Sequence, residues 1–446
     1  MKHSRILVGI LLVVGLAGTL VSNRVVYLRL LYISLLVLVI ARVWSGFSLR
    51  NIRVTRQTRT PRAQVGDTFE EYFEISNDSR LWRLWLEVRD ESSLPRTPTL
   101  PAASHSRLLT NIGGRQTRTY QARTWLMRRG GHQLGPTRLV SGDPFGLFLN
   151  EKLIPADESL VVFPYMIDIA SFPAPPGLLS GGRAIREKAL DVTPHAAGVR
   201  EYAPGDPLKR IHWPTTVRKD RLMVKEFEQD PQTEVWLFLD AQAEVQAELP
   251  GGGMQLPAST DWVLGRRPKF RLPPSTMEYG VSIAASLARY YLQGRQAVGF
   301  VTAGRTHTVL PADRSERQEV KILETLAYLQ PGNSLSISAL VAAQARLMPR
   351  GSSAVLITST TRPDLMLAVR ELQRRNLHPV IVLLMAETFG GPSGGMALVE
   401  SLQRLKVPVW QVNNNVDLSA SLAQFAAENS SQETSTWQKP RYRHWT

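Results

Sequence analysis

The chain has 446 residues, 43% of them apolar, with 53 Lys and Arg against 38 Asp and Glu, a net charge of +15 and no cysteine. That length exceeds what one hydrophobic core serves, so two or three domains are expected, and the missing cysteines exclude disulfides, thiolate metal sites and cysteine nucleophiles. Ten of the cations (Lys2, Arg5, Arg24, Arg29, Arg42, Arg50, Arg53, Arg56, Arg59 and Arg62) lie in residues 1–62, which hold no acid, so the excess sits beside the apolar N-terminus, where it suits anionic lipid headgroups, and a polyanion-binding body is not indicated.

Two apolar stretches open the chain, Ile6 to Val21 and Val25 to Val43, the second interrupted by Arg29. Each approaches the length of a membrane span, about 20 residues, and Ser22-Asn23-Arg24 supplies a turn, so residues 1–49 read as a transmembrane helical hairpin. Lys2, Arg5, Arg42, Arg50, Arg53, Arg56 and Arg59 flank the open end of this hairpin against Arg24 and Arg29 at the turn. The positive-inside rule then predicts a multi-pass inner-membrane protein with both termini in the cytoplasm, Arg29 snorkelling outward along its helix. A cleaved signal peptide, with Lys2 and Arg5 as its basic region and Ile6 to Ala17 as its apolar one, is the alternative.

From residue 50 to 165 the pattern changes to short alternating runs: 69–77, 81–90, 118–127 and 132–143, separated by turn residues such as Val65-Gly66-Asp67 and Asn77-Asp78-Ser79. Period two with frequent turns predicts a small antiparallel β-sandwich. Asp143-Pro144-Phe145-Gly146-Leu147-Phe148 reads as a tight turn holding a buried phenylalanine pair.

Residues 166–233 combine a Pro/Gly-rich connector with a charged strap, and Gly181-Gly182-Arg183 lacks the Gly-Lys-Ser/Thr of a phosphate loop. Over 198–228 the strap holds Arg200, Glu201, Asp206, Lys209, Arg210, Arg218, Lys219, Asp220, Arg221, Lys225, Glu226 and Glu228 around Tyr202, Ile211, Trp213 and Phe227, with a fixed turn at Pro204-Gly205-Asp206. Seven cations against five acids would repel phosphates nearly as often as attract them. The candidate binding residues are Arg200, Glu201, Tyr202, Gly205, Asp206, Arg210, Trp213, Arg218, Lys225 and Glu226. The competing reading is structural, with Asp206 and Glu201 paired to Arg210 and Arg218, Trp213 and Phe227 as plugs, and His212 packed beside Trp213. Asp206 and His212 lack a nucleophile or second carboxylate at a recognisable spacing, and no His-x-x-Glu-His or His-Glu-x-x-His arrangement occurs.

Residues 234–429 alternate strands and helices. Strands are expected at Val235 to Leu239, Ala297 to Thr302, His307 to Leu310, Ala354 to Thr358, Val380 to Leu384 and Val407 to Val412. Helices are expected at Met277 to Leu292, Arg314 to Leu329, Ile337 to Met348, Leu365 to Arg375, Met396 to Leu405 and Leu418 to Glu428. This spacing predicts a doubly wound, mostly parallel sheet with ligands received after Leu239, Thr302 and Thr358. The Pro/Gly-rich stretch between Ala243 and Met277 is a binding loop or a disordered one, and residues 430–446 read as a disordered tail.

The two halves of the strap, Arg200-Glu201-Tyr202-x-Pro204-Gly205-Asp206 through Ile211-x-Trp213, then Thr216-x-Arg218 through Leu222-x-Val224-Lys225-Glu226-Phe227-Glu228, resemble the signature of the bacterial domain-of-unknown-function family 58, membrane-tethered proteins with a von Willebrand factor A-like domain. Asp143 to Phe148 resembles the DPFGLF of that family. The resemblance implies a metal site of the Asp-x-Ser-x-Ser kind at the end of the first strand. Here that segment is Asp240-Ala241-Gln242-Ala243-Glu244, both serines are gone, and Arg362 stands where an acid is expected. The site therefore reads as degenerate at Asp240, Gln242 and Glu244, and no cofactor is expected beyond a residual Mg²⁺ possibility. The resemblance implies a non-enzymatic, membrane-anchored interaction protein with a MoxR-type AAA+ ATPase as partner. A metal-assisted hydrolase using Asp240, Glu244 and Asp206, and nucleic-acid binding through the basic N-terminal segment, are the alternatives.

Overall fold

The computed structural model describes residues 2–22, 24–58, 60–94, 106–155, 158–172, 196–204, 211–227, 234–250, 270–332 and 335–435. The chain divides into two compact units. The first comprises Met1–Tyr165 with Met254–Arg271 and Leu326–Tyr328, and the second comprises Met166–Gly253, Leu272–Thr325 and Leu329–Thr446.

In the first unit, helices α1 (Lys2–Val21) and α2 (Val25–Ser48) are long and apolar enough to cross a membrane, with mean hydropathies of 2.2 and 2.1. Gly15 and Gly18 let them approach closely, since a Cβ at Gly15 would stand 3.0 Å from the Leu31 nitrogen and one at Gly18 would overlap the Tyr27 ring.

Strands β1 (Ile52–Thr58), β2 (Arg62–Gln64), β3 (Thr68–Asn77), β4 (Arg83–Asp90), β5 (Ser106–Ile112), β6 (Thr117–Trp125), β7 (Gly130–Leu134), β8 (Thr137–Gly142), β9 (Leu149–Ile154) and β10 (Glu158–Phe163) follow. They form an antiparallel sheet β1-β3-β6, an antiparallel sheet β5-β4-β8-β9, and a small sheet β2-β10-β7 whose β2–β10 pair is parallel. Because side chains alternate across a strand, Phe73 and Ile75 of β3 turn inward and meet Leu86 and Val88 of β4 and Leu139 of β8 in one core. The run 132–143 is not one strand. It divides at Gly135-Pro136, where Gly135 holds φ +107° and Pro136 has no N–H for a ladder, so β7 and β8 enter different sheets.

A charged trio lies inside this unit. Arg56 of β1 pairs with Glu71 of β3 and with Asp90 of β4 (Nη1 to Oδ1, 3.2 Å), all three side chains being at most 8% exposed. Its guanidinium also lies 5.2 Å from the Phe73 ring centre. Two carboxylates share one cation, and burial pushes Glu71 up to about 7 against the pull of Arg56, with Asp90 adding to the rise.

The second unit holds β11 (Ala196–Glu201), α3 (Trp213–Lys219), β12 (Met223–Phe227), β13 (Glu234–Leu239), α4 (Thr276–Gln293), β14 (Ala297–Ala303), β15 (His307–Asp313), α5 (Glu316–Tyr328), α6 (Ile337–Gln344), β16 (Ser353–Thr358), α7 (Leu365–Arg374), β17 (His378–Leu384), α8 (Gly395–Arg404), β18 (Val409–Val412) and α9 (Leu418–Ser435), although Leu326 to Tyr328 at the end of α5 fall to the first unit. Six strands make an open sheet ordered β15-β14-β13-β16-β17-β18, parallel except for the β14–β15 hairpin. The Val-, Ile- and Leu-rich runs of β13, β16 and β17 are buried on both faces, as strands covered on both sides must be. On one face Phe238, Leu356 and Leu383 meet Leu340 of α6, Val369 of α7 and Leu402 of α8. On the other, Gly280 of α4 comes so close that a Cβ there would lie 3.1 Å from Leu239 and 3.4 Å from Leu384. Helix α9 runs on to Ser435, past the expected start of the tail, and residues 436–446 lie outside the described ones.

Candidate functional site

The sheet order reverses between β13 and β16, because the chain leaves β13 toward β14 on one side and returns to β16 on the other. Crevices form at such reversals, at the carboxyl ends of the strands. Asp240, the residue after β13, stands there, 2% exposed. Its Oδ2 accepts a hydrogen bond from Thr358 Oγ1 at 2.7 Å and its Oδ1 accepts one from the Gln242 backbone N–H at 3.1 Å. Burial pushes its carboxyl up to about 6, opposed by those two bonds, with Asp364 raising it further and Arg362 lowering it. Asp364, at the entrance to α7, accepts from Ser338 Oγ at 3.0 Å through Oδ2, while its Oδ1 is buried without a hydrogen-bond partner among the described residues.

Glu244 stands on the rim, where Arg362 Nη2 donates to its Oε2 at 2.8 Å and Gln242 Nε2 donates to the same oxygen at 3.3 Å. The pair is half exposed, 49% and 58%. Gln242 thus offers Glu244 a side-chain donor and Asp240 a backbone one. A hard divalent ion needs several oxygens and little positive charge beside them. The described residues gather no group of three or more His, Cys, Asp or Glu, and the guanidinium of Arg362 occupies one of the few carboxylates, so the set fits such an ion poorly.

The strap is a hairpin closed by a helix. Strand β11 pairs antiparallel with β12, Glu201 facing Met223 and Val199 facing Lys225. His212 precedes α3, its Nδ1 lying 2.7 Å from Thr215 Oγ1, and Pro214 falls in the first turn, where its missing N–H costs nothing. Thr216 Oγ1 accepts from the Met223 N–H at 3.0 Å, which ties the helix to β12 and seals Met223 and Val224 at 5% and 2% exposure. The opposite side of α3 is left to solvent: Trp213 is 62% exposed and Val217, one turn on, 79%.

Trp213 is therefore not a plug. Among the described residues Glu201 pairs with Arg221 at 2.9 Å, and the His212 ring meets the Thr215 hydroxyl. Tyr202 is half-buried, and Arg218 and Lys219 close α3 before Asp220 in the left-handed region at φ 50°. Gly205, Asp206 and Arg210 lie outside the described residues, as does most of the insertion after Pro250. The backbones of Arg200, Lys225, Glu226 and Phe227 are described and their side chains are not. Thr358, Asp364 and Ser338 were missed by sequence reasoning, and Arg221 was read as a strap charge without being a candidate. The acid two residues after Arg362 was the available signal for Asp364.

The model of the family described as "Protein of unknown function DUF58" matches residues 198–247, which span the strap, β13 and Asp240. The uncharacterized protein YeaD of Bacillus subtilis (strain 168) is 24% identical over 203 residues, 45% of this chain and 42% of that protein, so the match spans less than half the length of that relative. Among solved structures, the human seminal-plasma complex of zinc 2-glycoprotein with prolactin inducible protein aligns at 11% identity over 26% of this chain and 97% of that one, with a TM-score of 0.19. The C-terminal domain of wzt aligns at 12% identity over 28% and 83%, with a TM-score of 0.20. Scores that low bear on neither fold nor activity. Over residues 198–247, from the strap to just past Asp240, the chain is similar to the DUF58 family.

Proposed function

We propose that this chain is a membrane-anchored, non-enzymatic interaction protein that presents a von Willebrand factor A-like domain in the cytoplasm, docks a MoxR-type AAA+ ATPase through the strap, and holds its β-sandwich beside the bilayer. The single observation that carries this reading is that the charges at the strand ends are used internally while the strap's apolar residues are not. Both oxygens of Asp240 are engaged by Thr358 and Gln242, and Glu244 by Arg362. Trp213 and Val217 project from a helix that carries Arg218 and Lys219, the aromatic-plus-cation composition of interaction hot spots. The six-stranded sheet with helices on both faces supports the A-like assignment, the two facing sheets support the sandwich, and the two apolar helices support the anchor.

The hydrolase reading through Asp240, Glu244 and Asp206 needs a cation that the strand-end residues fit poorly. Nucleic-acid binding needs a basic surface beyond the N-terminal segment. The test is co-purification of the full-length protein in detergent with a MoxR-type ATPase. Trp213→Ala and Val217→Asp should lose partner recovery with an unchanged melting temperature, and full recovery by both folded variants refutes the proposal.

A further inference from the structure

The turn at Asp143 to Phe148 faces outward rather than inward. Asp143 is 1% exposed, its Oδ2 accepts from the Phe145 N–H at 2.8 Å and its Oδ1 from the Phe148 N–H, and Gly146 takes φ +68°. These bonds fix a loop in which Leu147 is buried at 2% while Phe145 stands 47% exposed, so the expected buried phenylalanine pair is corrected to one exposed and one half-buried ring. The loop is tied to the start of α1, where Arg5 Nε donates to the Leu147 carbonyl, and Asn150 Nδ2 just beyond it donates to the Ser45 carbonyl of α2.

A second loop stands at the same level. Asn77, 1% exposed, donates through Nδ2 to the Leu81 carbonyl at 2.9 Å and fixes Leu81 and Trp82 at 56% and 47% exposure. The Trp82 ring meets Trp44 of α2 edge to face with centroids 5.3 Å apart, and Arg83 Nη2 donates to the Arg50 carbonyl at 2.9 Å. Exposed Arg42, Arg50 and Arg80 belong to the same end of the unit. Buried polar residues therefore hold three large apolar side chains in water, beside arginines, where two apolar helices end.

We propose that this end of the first unit is seated in the bilayer interface, with Leu81, Trp82 and Phe145 among the lipid headgroups and the arginines on anionic phosphates. The inference rests on the membrane-anchored reading and adds a contact surface to it. Continuity with α1 and α2 selects lipid over a protein partner, and aromatic rings with flanking cations are the composition that settles at that depth. The protein then lies on the membrane as well as crossing it, with side chains entering roughly 5–10 Å.

The lack of native cysteine makes the test direct. Nitroxide labels are placed on Leu81→Cys, Phe145→Cys, Leu36→Cys in the exposed middle of α2, and Thr68→Cys at the far end of β3, roughly 30 Å from Asn77. The full-length protein goes into nanodiscs of phosphatidylcholine and phosphatidylglycerol, and oxygen accessibility is compared with that of a water-soluble nickel chelate. The oxygen-to-nickel ratio at 81 and 145 should exceed that at 68 severalfold and fall below that at 36. Ratios at 81 and 145 equal to that at 68, with 36 still in lipid, overturn this proposal alone. An aqueous ratio at 36 as well overturns the membrane reading itself. Shielding of 81 and 145 from both reagents means that protein covers the loops and also overturns it.

Discussion

Replacing Glu71 by Gln should remove a pH dependence from the first unit. Its carboxyl ordinarily titrates near 4.5 and is pushed up to about 7 by burial beside Asp90, with Arg56 shared between the two acids. A raised acid means that the folded state keeps a proton which the unfolded chain releases. The contribution is therefore fully present below 4.5, declines as pH rises, and is lost by about 7. Each pH unit inside that window is worth about 1.4 kcal/mol, so the whole decline is about 3 kcal/mol. Glutamine has nearly the same shape, cannot ionise, and can still receive Arg56 through its carbonyl oxygen. Hydrogen exchange of the β3 and β4 amides, corrected for the intrinsic pH dependence of exchange, reads this unit without interference from the other. The parent should lose protection between pH 5 and 7 and Glu71→Gln should hold level. Parallel profiles for the two proteins would refute the assignment of a buried, proton-retaining Glu71.

Arg56→Ala leaves Glu71 and Asp90 buried without their cation and should destabilise the first unit by about 3–5 kcal/mol in denaturant titrations, with partial recovery in the double variant carrying Glu71→Gln. Thr358→Val removes the hydroxyl that holds the buried Asp240 carboxyl down. Asp240's own contribution should decline as pH rises from 3.8 to about 6, and in the variant that decline should extend toward neutrality at a total cost of about 1–3 kcal/mol, read as urea midpoints at pH 5 and 7. Arg362→Ala breaks a half-exposed pair and should shift stability by less than about 1 kcal/mol in the same titration. Calorimetry of the parent with millimolar Mg²⁺ should give no binding heat, since Glu244 is paired with Arg362 and the described residues gather no group of three or more metal-ligating side chains.

Periodicity carried most of the α/β region. Strands β13, β14 and β16 lie within two residues of the apolar runs that announced them, because a strand covered on both faces must be apolar along its length. Position along the chain was legible, but side-chain direction was not. Trp213 and Phe145 look like core residues by type, yet Trp213 opens α3 on its exposed side and a buried turn acid at Asp143 fixes the loop that leaves Phe145 exposed. The pairing of Glu201 with Arg221 depends on the β11–β12 register, which no single strand encodes. Asp240 was legible because it ends an apolar strand, whereas Thr358 sits inside the next run and shows its role only when the two strands lie side by side.

Phe270 follows β13 in the chain yet packs in the core of the first unit, with its ring 5.8 Å from that of Trp125 and 5.0 Å from that of Tyr165. A nascent polypeptide halted at Tyr165 would hold every strand of that unit without one of its aromatic wedges. The N-terminal unit thus reaches its final packing only after the ribosome has passed β13, so its completion lags well behind the synthesis of its own strands.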